Sequence, residues 1–442
     1  MNPFDREINT KPVIKILIHS CSLFDYPNPI VERFLQLNEF DYIDIDVTPI
    51  DDDTITKVLK KYNYVIPKYD YGNRSIVMLY PNGFKNATFF NYDKWNQPTM
   101  GGSKITYNDR AMTSNYDYFV ISPKDIYYNS KLRKENEITI EDAINFIRIL
   151  LVNNNILYIN KYTKVNEGLY YLYRMKTIFQ NYQLPWSIAV HSKNEKIQTS
   201  EIFNNLQSLS TRLDFICRAV DKINFYSLKN ANNDTFDNAL YHLGYFIMLC
   251  TGAFDDLAWI INNLYNFNLH HKELSLRISD PLKLGKFAKK VQFHNSALYN
   301  YLLENKTRNF ILSFYPIRDA LQHRNFLDGF KILSGGISNN RFYIDNQTIK
   351  LLFEVFDEQS DLKKWGIHKT HDDQYSIDCF YYTKEIFTRF SNFINNTLYL
   401  LNWEDYLNLL SEDSKTKIIT SQEKFKNGFW QVLGFENEPL YF

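Results

Sequence analysis

The sequence has few cysteines, few glycines and prolines, and no long uninterrupted apolar segment. Its four cysteines, Cys21, Cys217, Cys250 and Cys379, lie far apart and form no C-x-x-C pair, which argues against a disulfide framework or a zinc ribbon. No run approaches the roughly 18 to 20 apolar residues of a membrane span, and the first residues lack the basic-then-apolar order of a signal peptide. We therefore expect a soluble, cytoplasmic protein that does not associate with a membrane.

The sequence also lacks an excess of either charge and the glycine-rich motifs that bind phosphates. The 50 basic residues balance 50 acidic ones, which argues against a general nucleic-acid coat protein but leaves room for a local basic patch. There is no P-loop and no G-x-G-x-x-G, so we expect no cofactor. Aromatic side chains are abundant, with 33 Tyr and 34 Phe, and this composition is typical of an ordered chain.

Residues 1–135 predict a mixed α/β module of unknown role. Short apolar segments bounded by turn residues are candidate strands: Val13–Ile18, Tyr64–Ile66, Ile76–Leu79, Ala87–Phe90 and Tyr118–Ile121. Two weaker patterns, Pro29–Leu37 and Thr54–Lys61, are candidate helices. Residues 136–195 then predict a helical bridge, with Thr139 and Asp142 as a capping box that opens Ile140–Val152, followed by a second helix at Gly168–Gln180.

A longer helical pattern follows residue 195. Apolar residues recur at steps of three and four in Ser200–Leu228, Thr235–Phe267 and Thr383–Trp403, which predicts long helices that pack nearly antiparallel or parallel. The short polar joint Lys229–Asp234 predicts an antiparallel hairpin. With the helix around Arg318, these segments predict an up-down four-helix bundle. The predicted fold class is α+β, a C-terminal four-helix bundle preceded by a smaller α/β module.

The predicted bundle domain spans residues 196–410, is interrupted at 269–306 and 329–378, and is followed by a C-terminal extension at 411–442. In the first insertion, Lys283, Lys286 and Lys290 are predicted to share one helical face, which is either solvated or a phosphate-contacting strip.

The second insertion contains two further patterns. Arg341–Asp345 and Thr348–Phe353 flank Asn346-Gln347 as a candidate hairpin. His368 and His371, followed by acidic residues, have metal-ligand spacing, but no helix or third ligand supports a metal site, so we expect a loop and no bound metal.

The segment Pro316–Phe326 carries the most informative polar side chains. On a helical wheel, Ile317, Ala320 and Leu321 cluster on one side, and the opposite side carries Arg318, Asp319, Gln322, His323 and Phe326. Arg318 and His323 lie about 140° apart round the helix and roughly 7.5 Å apart along it, so their side chains do not easily meet. Both could instead reach a third group that lies across this face, most naturally an anion. The alternative is an ordinary wet helix face. If the helix begins at Pro316, its free amides favour an anion near Arg318; if it begins near Thr307, Pro316 kinks it.

A helical bundle with Arg318-Asp319-x-x-x-His323 on its third helix resembles the HEPN (higher eukaryotes and prokaryotes nucleotide-binding) family. The stretch Phe254–Tyr265 resembles the second helix of larger bacterial members, and the resemblance covers about residues 198 to 405. It implies a metal-independent endoribonuclease that works as a homodimer in toxin–antitoxin or phage-defence systems, with RNA as substrate and an antitoxin or regulatory protein as a possible partner.

The resemblance also implies roles for individual residues. Arg318 would bind the scissile phosphate, His323 would be the acid/base group at the 2′-hydroxyl, and Asp319 would orient His323 or its partner. We predict that substrate binding involves Lys283, Lys286, Lys290, Gln322 and Arg324. Some toxin members carry a Tyr two residues after the His, where this sequence has Asn325. The alternative function is a non-catalytic HEPN-like bundle that binds nucleotide, RNA or a protein.

Overall fold

The computed structural model describes most of the chain in segments. They are residues 2–7, 12–27, 30–31, 34–35, 37–48, 68–70, 75–77, 113–128, 136–160, 163–197, 200–230, 232–323, 329–332, 339–356, 361–369 and 374–428. These segments are mostly helical and contain a four-stranded parallel sheet, a four-stranded antiparallel sheet and two antiparallel pairs of strands. The predicted α+β class is confirmed at this level. The predicted segments Tyr64–Ile66, Ala87–Phe90 and Thr54–Lys61 lie outside the described residues.

The strands in these segments are short, at most six residues each. They are β1 (Ile14–Ile18), β2 (Ile43–Val47), β3 (Lys68–Asp70), β4 (Ser75–Val77), β5 (Tyr118–Val120), β6 (Glu137–Ile138), β7 (Tyr158–Asn160), β8 (Thr163–Lys164), β9 (Gly329–Ile332), β10 (Asn339–Ile344), β11 (Ile367–Lys369) and β12 (Tyr375–Asp378).

The helices range from single turns to more than eight turns. They are α1 (Pro123–Tyr128), α2 (Ile140–Asn153), α3 (Glu167–Ile178), α4 (Gln183–Asn194), α5 (Ser200–Leu228), α6 (Asn233–Leu264), α7 (Lys286–His294), α8 (Ser296–Leu303), α9 (Asn305–His323), α10 (Asn346–Val355), α11 (Asp361–Lys364), α12 (Cys379–Leu400), α13 (Glu404–Asn408) and α14 (Glu412–Gly428). Short 3-10 turns lie at Pro3–Asp5, Ser20–Asp25, Leu37–Glu39, Thr113–Asn115, Gln180–Tyr182 and His271–Glu273.

The N-terminal sheet has four parallel strands in the order β2-β1-β5-β6. Ile16 is in register with Ile45 on one side and with Tyr118 on the other, and alternate residues of these strands form one apolar face. Helix α2 packs its buried side, including Phe146 and Ile147, into the same core. Because β6 and α2 complete this layer, a boundary at residue 135 falls between two strands of one sheet.

Helices α5 and α6 form the predicted antiparallel hairpin. Ser208 of α5 contacts Asp256 of α6, whereas Tyr226, further along α5, stacks on His242, earlier on α6. The chain therefore reverses direction between them, and the apolar residues spaced by three and four lie in the shared interface. Among the described residues one helix, α6, is long and apolar enough to cross a membrane, but 72% of its most apolar window is buried in the protein.

Helices α9 and α12 pack on this hairpin through aromatic rings. The ring of Phe254 on α6 lies 5.3 Å from that of Phe314 on α9 and 5.3 Å from that of Phe393 on α12, both edge to face. Such pairs contribute about 0.5–1.5 kcal/mol each beyond the apolar area they bury. These contacts fix α9 against α6, so they determine which residues of the two helices meet at the surface.

The antiparallel sheet has the strand order β11-β12-β10-β9 and corrects one prediction. The hairpin predicted around Asn346-Gln347 is wrong, because its second segment is helix α10. Asp345 Oδ1 accepts hydrogen bonds of 2.8 Å from the backbone amides of both Gln347 and Thr348, so it caps a helix rather than beginning a turn. The buried residues Ile349 and Leu352 are spaced as one face of a helix.

The first insertion is more ordered than its polar composition suggests. It contains α7 and α8, and Phe287, Val291, Leu298 and Leu302 are buried in the main helical core. The insertion is therefore part of the helical domain rather than a solvent-exposed loop.

A buried charged cluster joins α2, α3 and α5. Arg148 donates to both oxygens of Asp221, at 2.7 and 2.9 Å, and Arg174 lies 3.3 Å from Asp221 Oδ1. Tyr171 donates to Asp221 Oδ2 at 3.1 Å. Burial raises the pKa of Asp221, but Arg148 and Arg174 together lower it below its ordinary value. The cluster links the helix of the N-terminal layer to the long helical hairpin.

Candidate anion-binding site

Helix α9 begins at Asn305 and ends at His323, with Pro316 in its interior. Of the two predicted alternatives, the start near Thr307 is the one observed, so Pro316 is not at a helix N-terminus and no free amides of a first turn lie beside Arg318. The earlier start occurs because Phe310, Ile311 and Phe314 continue the buried face on the N-terminal side of the proline. Proline has no N–H to donate to the carbonyl four residues earlier, so the helix lacks one backbone hydrogen bond just before the site.

The polar side of α9 faces outward as the wheel predicts. Ile317 is buried, whereas the side chains of Arg318 and Asp319 are 33% and 44% exposed. Arg318 Nη1 lies 3.7 Å from Asp319 Oδ1, which is too far for a hydrogen bond. Gln322 is exposed and its Nε2 lies 3.7 Å from the sulfur of Met248 on α6. His323 is the last residue of α9, its side chain is not described, and Arg324 lies outside the described residues.

Tyr315 lies one turn before Arg318 and contacts two guanidinium groups. The guanidinium carbon of Arg277 lies 4.8 Å from the centre of the Tyr315 ring, and that of Arg318 lies 5.9 Å from it. Desolvation raises the pKa of Tyr315 to about 12, with Asp255 adding to the rise and the two arginines opposing it. The hydroxyl is thus protonated at neutral pH, and it has no hydrogen-bond partner among the described residues.

A third arginine, Arg212 on α5, is fixed by an ion pair. Its Nε donates to Asp256 Oδ2 at 2.8 Å, and the Ser208 hydroxyl donates to the same carboxylate at 3.1 and 3.2 Å. The guanidinium lies over Gly252, where a Cβ would overlap it. Desolvation raises the pKa of Asp256 to about 6, although Arg212 lowers it. The pair therefore neutralises much of the positive charge of Arg212.

Asp255 connects these groups. Desolvation raises its pKa, and the guanidinium groups of Arg318 and Arg212 oppose that rise, so both lie within electrostatic range of its carboxylate. We name the set the Arg–Asp cluster, and its members are Arg212, Arg277, Arg318, Asp255, Asp256, Asp319 and Tyr315. One guanidinium group can donate two parallel hydrogen bonds to two oxygens of a phosphate, and a carboxylate accepts hydrogen bonds from hydroxyl groups.

The lysine strip of the first insertion does not form one helical face. Lys283 precedes α7, which begins at Lys286. Lys286 Nζ is paired with Glu273, and Lys290 Nζ donates to the backbone carbonyl of Phe267 at 2.8 Å. The predicted shared face is wrong because the helix starts three residues after Lys283. A role for these lysines in substrate binding stays a prediction.

The described residues contain no group of three or more His, Cys, Asp or Glu side chains arranged to hold a metal ion. His368 is exposed on β11, and His371, Asp372 and Asp373 lie outside the described part of the chain. The four cysteines form no disulfide.

Comparison with protein-family models, curated proteins and solved structures gives no match to this chain.

Sequence reasoning identified Arg318 and Asp319 but missed the residues that surround them. Two signals were available: Tyr315 is three residues before Arg318, hence on the same side of the helix, and the stretch Phe254–Tyr265 places two adjacent aspartates in an apolar helix. Arg212 and Arg277 carried no such signal, because each reaches the cluster only through the packing of separate elements.

Proposed function

We propose that this chain is a metal-independent endoribonuclease of the HEPN type, and that α5, α6, α9 and α12 form its four-helix bundle. The observation that carries the proposal is the partly exposed Arg318, on the helix that ends at His323. Its guanidinium group lies near the ring of Tyr315 on the same helix and within electrostatic range of Asp255 on α6. The antiparallel α5–α6 hairpin and the aromatic contacts of Phe254 with α9 and α12 support the bundle.

The chemistry requires two functions from the site. Attack by a 2′-hydroxyl needs a proton acceptor that titrates near neutrality, and the phosphorane that forms needs a fixed positive charge. The bond from phosphorus to the 5′-oxygen then breaks, and the leaving 5′-oxygen takes up a proton from the acid/base group to become a hydroxyl. In the proposal His323 is the acid/base group, Arg318 holds the scissile phosphate and stabilises the added charge, and Asp319 orients His323 or its partner. Gln322 and Arg324 would contact the RNA beside them.

The direct test is incubation of the purified protein with total RNA in EDTA. We expect cleavage that leaves 2′,3′-cyclic phosphate ends, and we expect His323→Ala to slow it by about 10²- to 10⁴-fold, the usual contribution of a general acid or base. Arg318→Ala should reduce cleavage as well. Arg308→Ala, which removes the same charge ten residues earlier on the same helix, should cleave like the wild type. An absolute requirement for Mg²⁺ or Mn²⁺ would contradict the mechanism.

We further propose that the active form is a homodimer. Arg318 and His323 diverge by about 140° on one helix, so one protomer does not readily bring both to one phosphate. A two-fold axis would place Arg318 of one chain near His323 of its partner. Mixing Arg318→Ala and His323→Ala chains through unfolding and refolding should then restore part of the activity. If every mixture stays inactive while the dimer forms, the two residues do not act across the interface.

A non-catalytic HEPN-like bundle is the second candidate, and one observation favours it. Three aspartates balance the three arginines of the Arg–Asp cluster, so little net positive charge is left to stabilise a phosphorane, which favours recognition of a nucleotide, RNA or protein over cleavage. RNA binding without cleavage in the EDTA assay would support this candidate. Under either proposal the protein acts in the cytoplasm, and an antitoxin or regulatory protein is a candidate partner in a toxin–antitoxin or phage-defence system.

A further inference from the structure

The ring of Tyr315 holds two arginines from different parts of the chain. Tyr315 is only 7% exposed and is fixed by α9, and both guanidinium carbons lie within cation–π range of its ring, at 4.8 Å for Arg277 and 5.9 Å for Arg318. Arg277 belongs to the connection between α6 and α7, whereas Arg318 belongs to α9. The ring thus positions Arg277 without engaging its N–H donors.

These two guanidinium groups differ from that of Arg212 in what they already bind. Arg212 is hydrogen-bonded to Asp256 at 2.8 Å. Among the described residues Arg277 has no carboxylate partner, and the carboxylate oxygen paired with Arg318 is Oδ1 of Asp319, 3.7 Å away. Two sets of donors therefore remain for an external acceptor, and a phosphate group accepts two parallel hydrogen bonds from a guanidinium group.

We propose that Arg277 and Arg318 form a two-phosphate clamp that binds neighbouring phosphates of single-stranded RNA. The clamp rests on the proposed function in one respect, since Arg318 is also assigned to the scissile phosphate. Arg277 then holds an adjacent phosphate, so the substrate is a polynucleotide, and a mononucleotide engages only one of the two arginines.

The carboxylates of the cluster further restrict the class of ligand that the clamp prefers. Asp255 and Asp319 both lie within electrostatic range of Tyr315, so their negative charge should oppose the binding of a simple anion such as inorganic phosphate. They also accept hydrogen bonds from hydroxyl groups. The RNA backbone supplies a hydroxyl on every ribose and DNA does not, so the clamp should prefer RNA to DNA of the same sequence.

The test measures binding rather than cleavage. A fluorescein-labelled 12-nucleotide single strand is titrated at several salt concentrations with protein in a His323→Ala background, and a gel verifies that the RNA stays intact. Each phosphate contact to a single strand contributes about 0.7 to the slope of log K against log salt. Arg277→Ala should lower the slope by about 0.7, and adding Arg318→Ala should lower it by about 0.7 again. Arg277→Lys should keep the slope because it keeps the charge.

Arg308→Ala is the matched control and should leave the slope unchanged. The matching DNA strand should bind more weakly than the RNA. An unchanged slope for Arg277→Ala, with the variant folded by circular dichroism, would overturn the clamp, and so would an absence of RNA binding by the parent protein. If the wild type cleaves RNA but Arg277→Ala does not change the slope, the clamp alone is wrong. If Arg277→Ala and Arg318→Ala lower the slope but the wild type cleaves nothing, the nuclease proposal is wrong and the clamp stands.

Discussion

Asp221 is the residue whose removal should most strongly destabilise the fold. It is fully buried and is the common acceptor for Arg148, Arg174 and Tyr171, which reach it from α2 and α3. Asp221→Ala therefore removes the carboxylate that two buried guanidinium groups share.

The size of the effect follows from this arrangement. Breaking a buried ion pair by removing one partner costs about 3–5 kcal/mol, and here two cations lose the same partner, so we expect the upper part of that range. Domains are stable by only about 5–15 kcal/mol, so Asp221→Ala should remove a large fraction of the free energy of unfolding. Because the pKa of Asp221 is lowered in the folded state, its contribution is present at neutral pH and is lost as the pH falls below the ordinary value of 3.8.

Urea unfolding followed by circular dichroism at pH 7 measures the change. Asp214→Ala is the matched control, since Asp214 pairs with the partly exposed Arg218 at 2.7 Å on the same helix, and such pairs contribute less than about 1 kcal/mol. Replacing Arg148, Arg174 and Asp221 together by Met, Met and Leu should cost less than Asp221→Ala alone, because the two cations are removed together with the carboxylate that they share. Equal destabilisation by Asp221→Ala and Asp214→Ala would refute the reasoning.

Three further predictions concern other positions. Gly252→Ala should displace the Arg212 guanidinium from Asp256, but this guanidinium ends a flexible side chain and can move at low cost. The better helix propensity of Ala should therefore raise the free energy of unfolding by less at Gly252 than at Gly168 on α3, where the added Cβ meets only an ordinary contact, and urea midpoints compare the two variants. Burial raises the pKa of Asp378 to about 6, so the stability that its protonated form contributes is present below pH 3.8 and is lost as the pH rises through 6. Asp378→Asn should therefore reduce the loss of stability between about pH 4 and pH 7 in unfolding titrations, and an unchanged pH profile would contradict this. Asp345→Ala should cost about 1 kcal/mol by uncapping α10, and Asp345→Ser should restore most of it.

The long helices could be predicted from the sequence because their buried residues repeat at a regular spacing. The bounds of α5 match the predicted Ser200–Leu228, and α2 begins after its predicted cap, Thr139. The short segment at Thr348–Phe353 was assigned to the wrong class because a few apolar residues fit a strand and a helix equally well, and only the cap at Asp345 decides between them.

Only those residues of the candidate site that lie on a single helix could be predicted from the sequence. Arg318 and Asp319 are neighbours in sequence, and the helix period places them on the exposed side. Arg212 and Arg277 join them because α5, α6 and α9 pack in one particular register, and no local pattern encodes that register. The start of α9 was uncertain for a related reason, since proline is compatible with both the first turn and the interior of a helix.

The buried position of Arg148 has a consequence for how the chain is made. Its partner Asp221 lies 73 residues later in the sequence. At a synthesis rate of about 5–20 residues per second, the ribosome takes roughly 4 to 15 seconds to add that length of chain. Until then the bidentate pair between Arg148 and Asp221 cannot form, so the packing of α2 against α5 is incomplete. The nascent chain therefore presents apolar residues of α2 during this interval, which makes it a candidate for chaperone binding before α5 emerges.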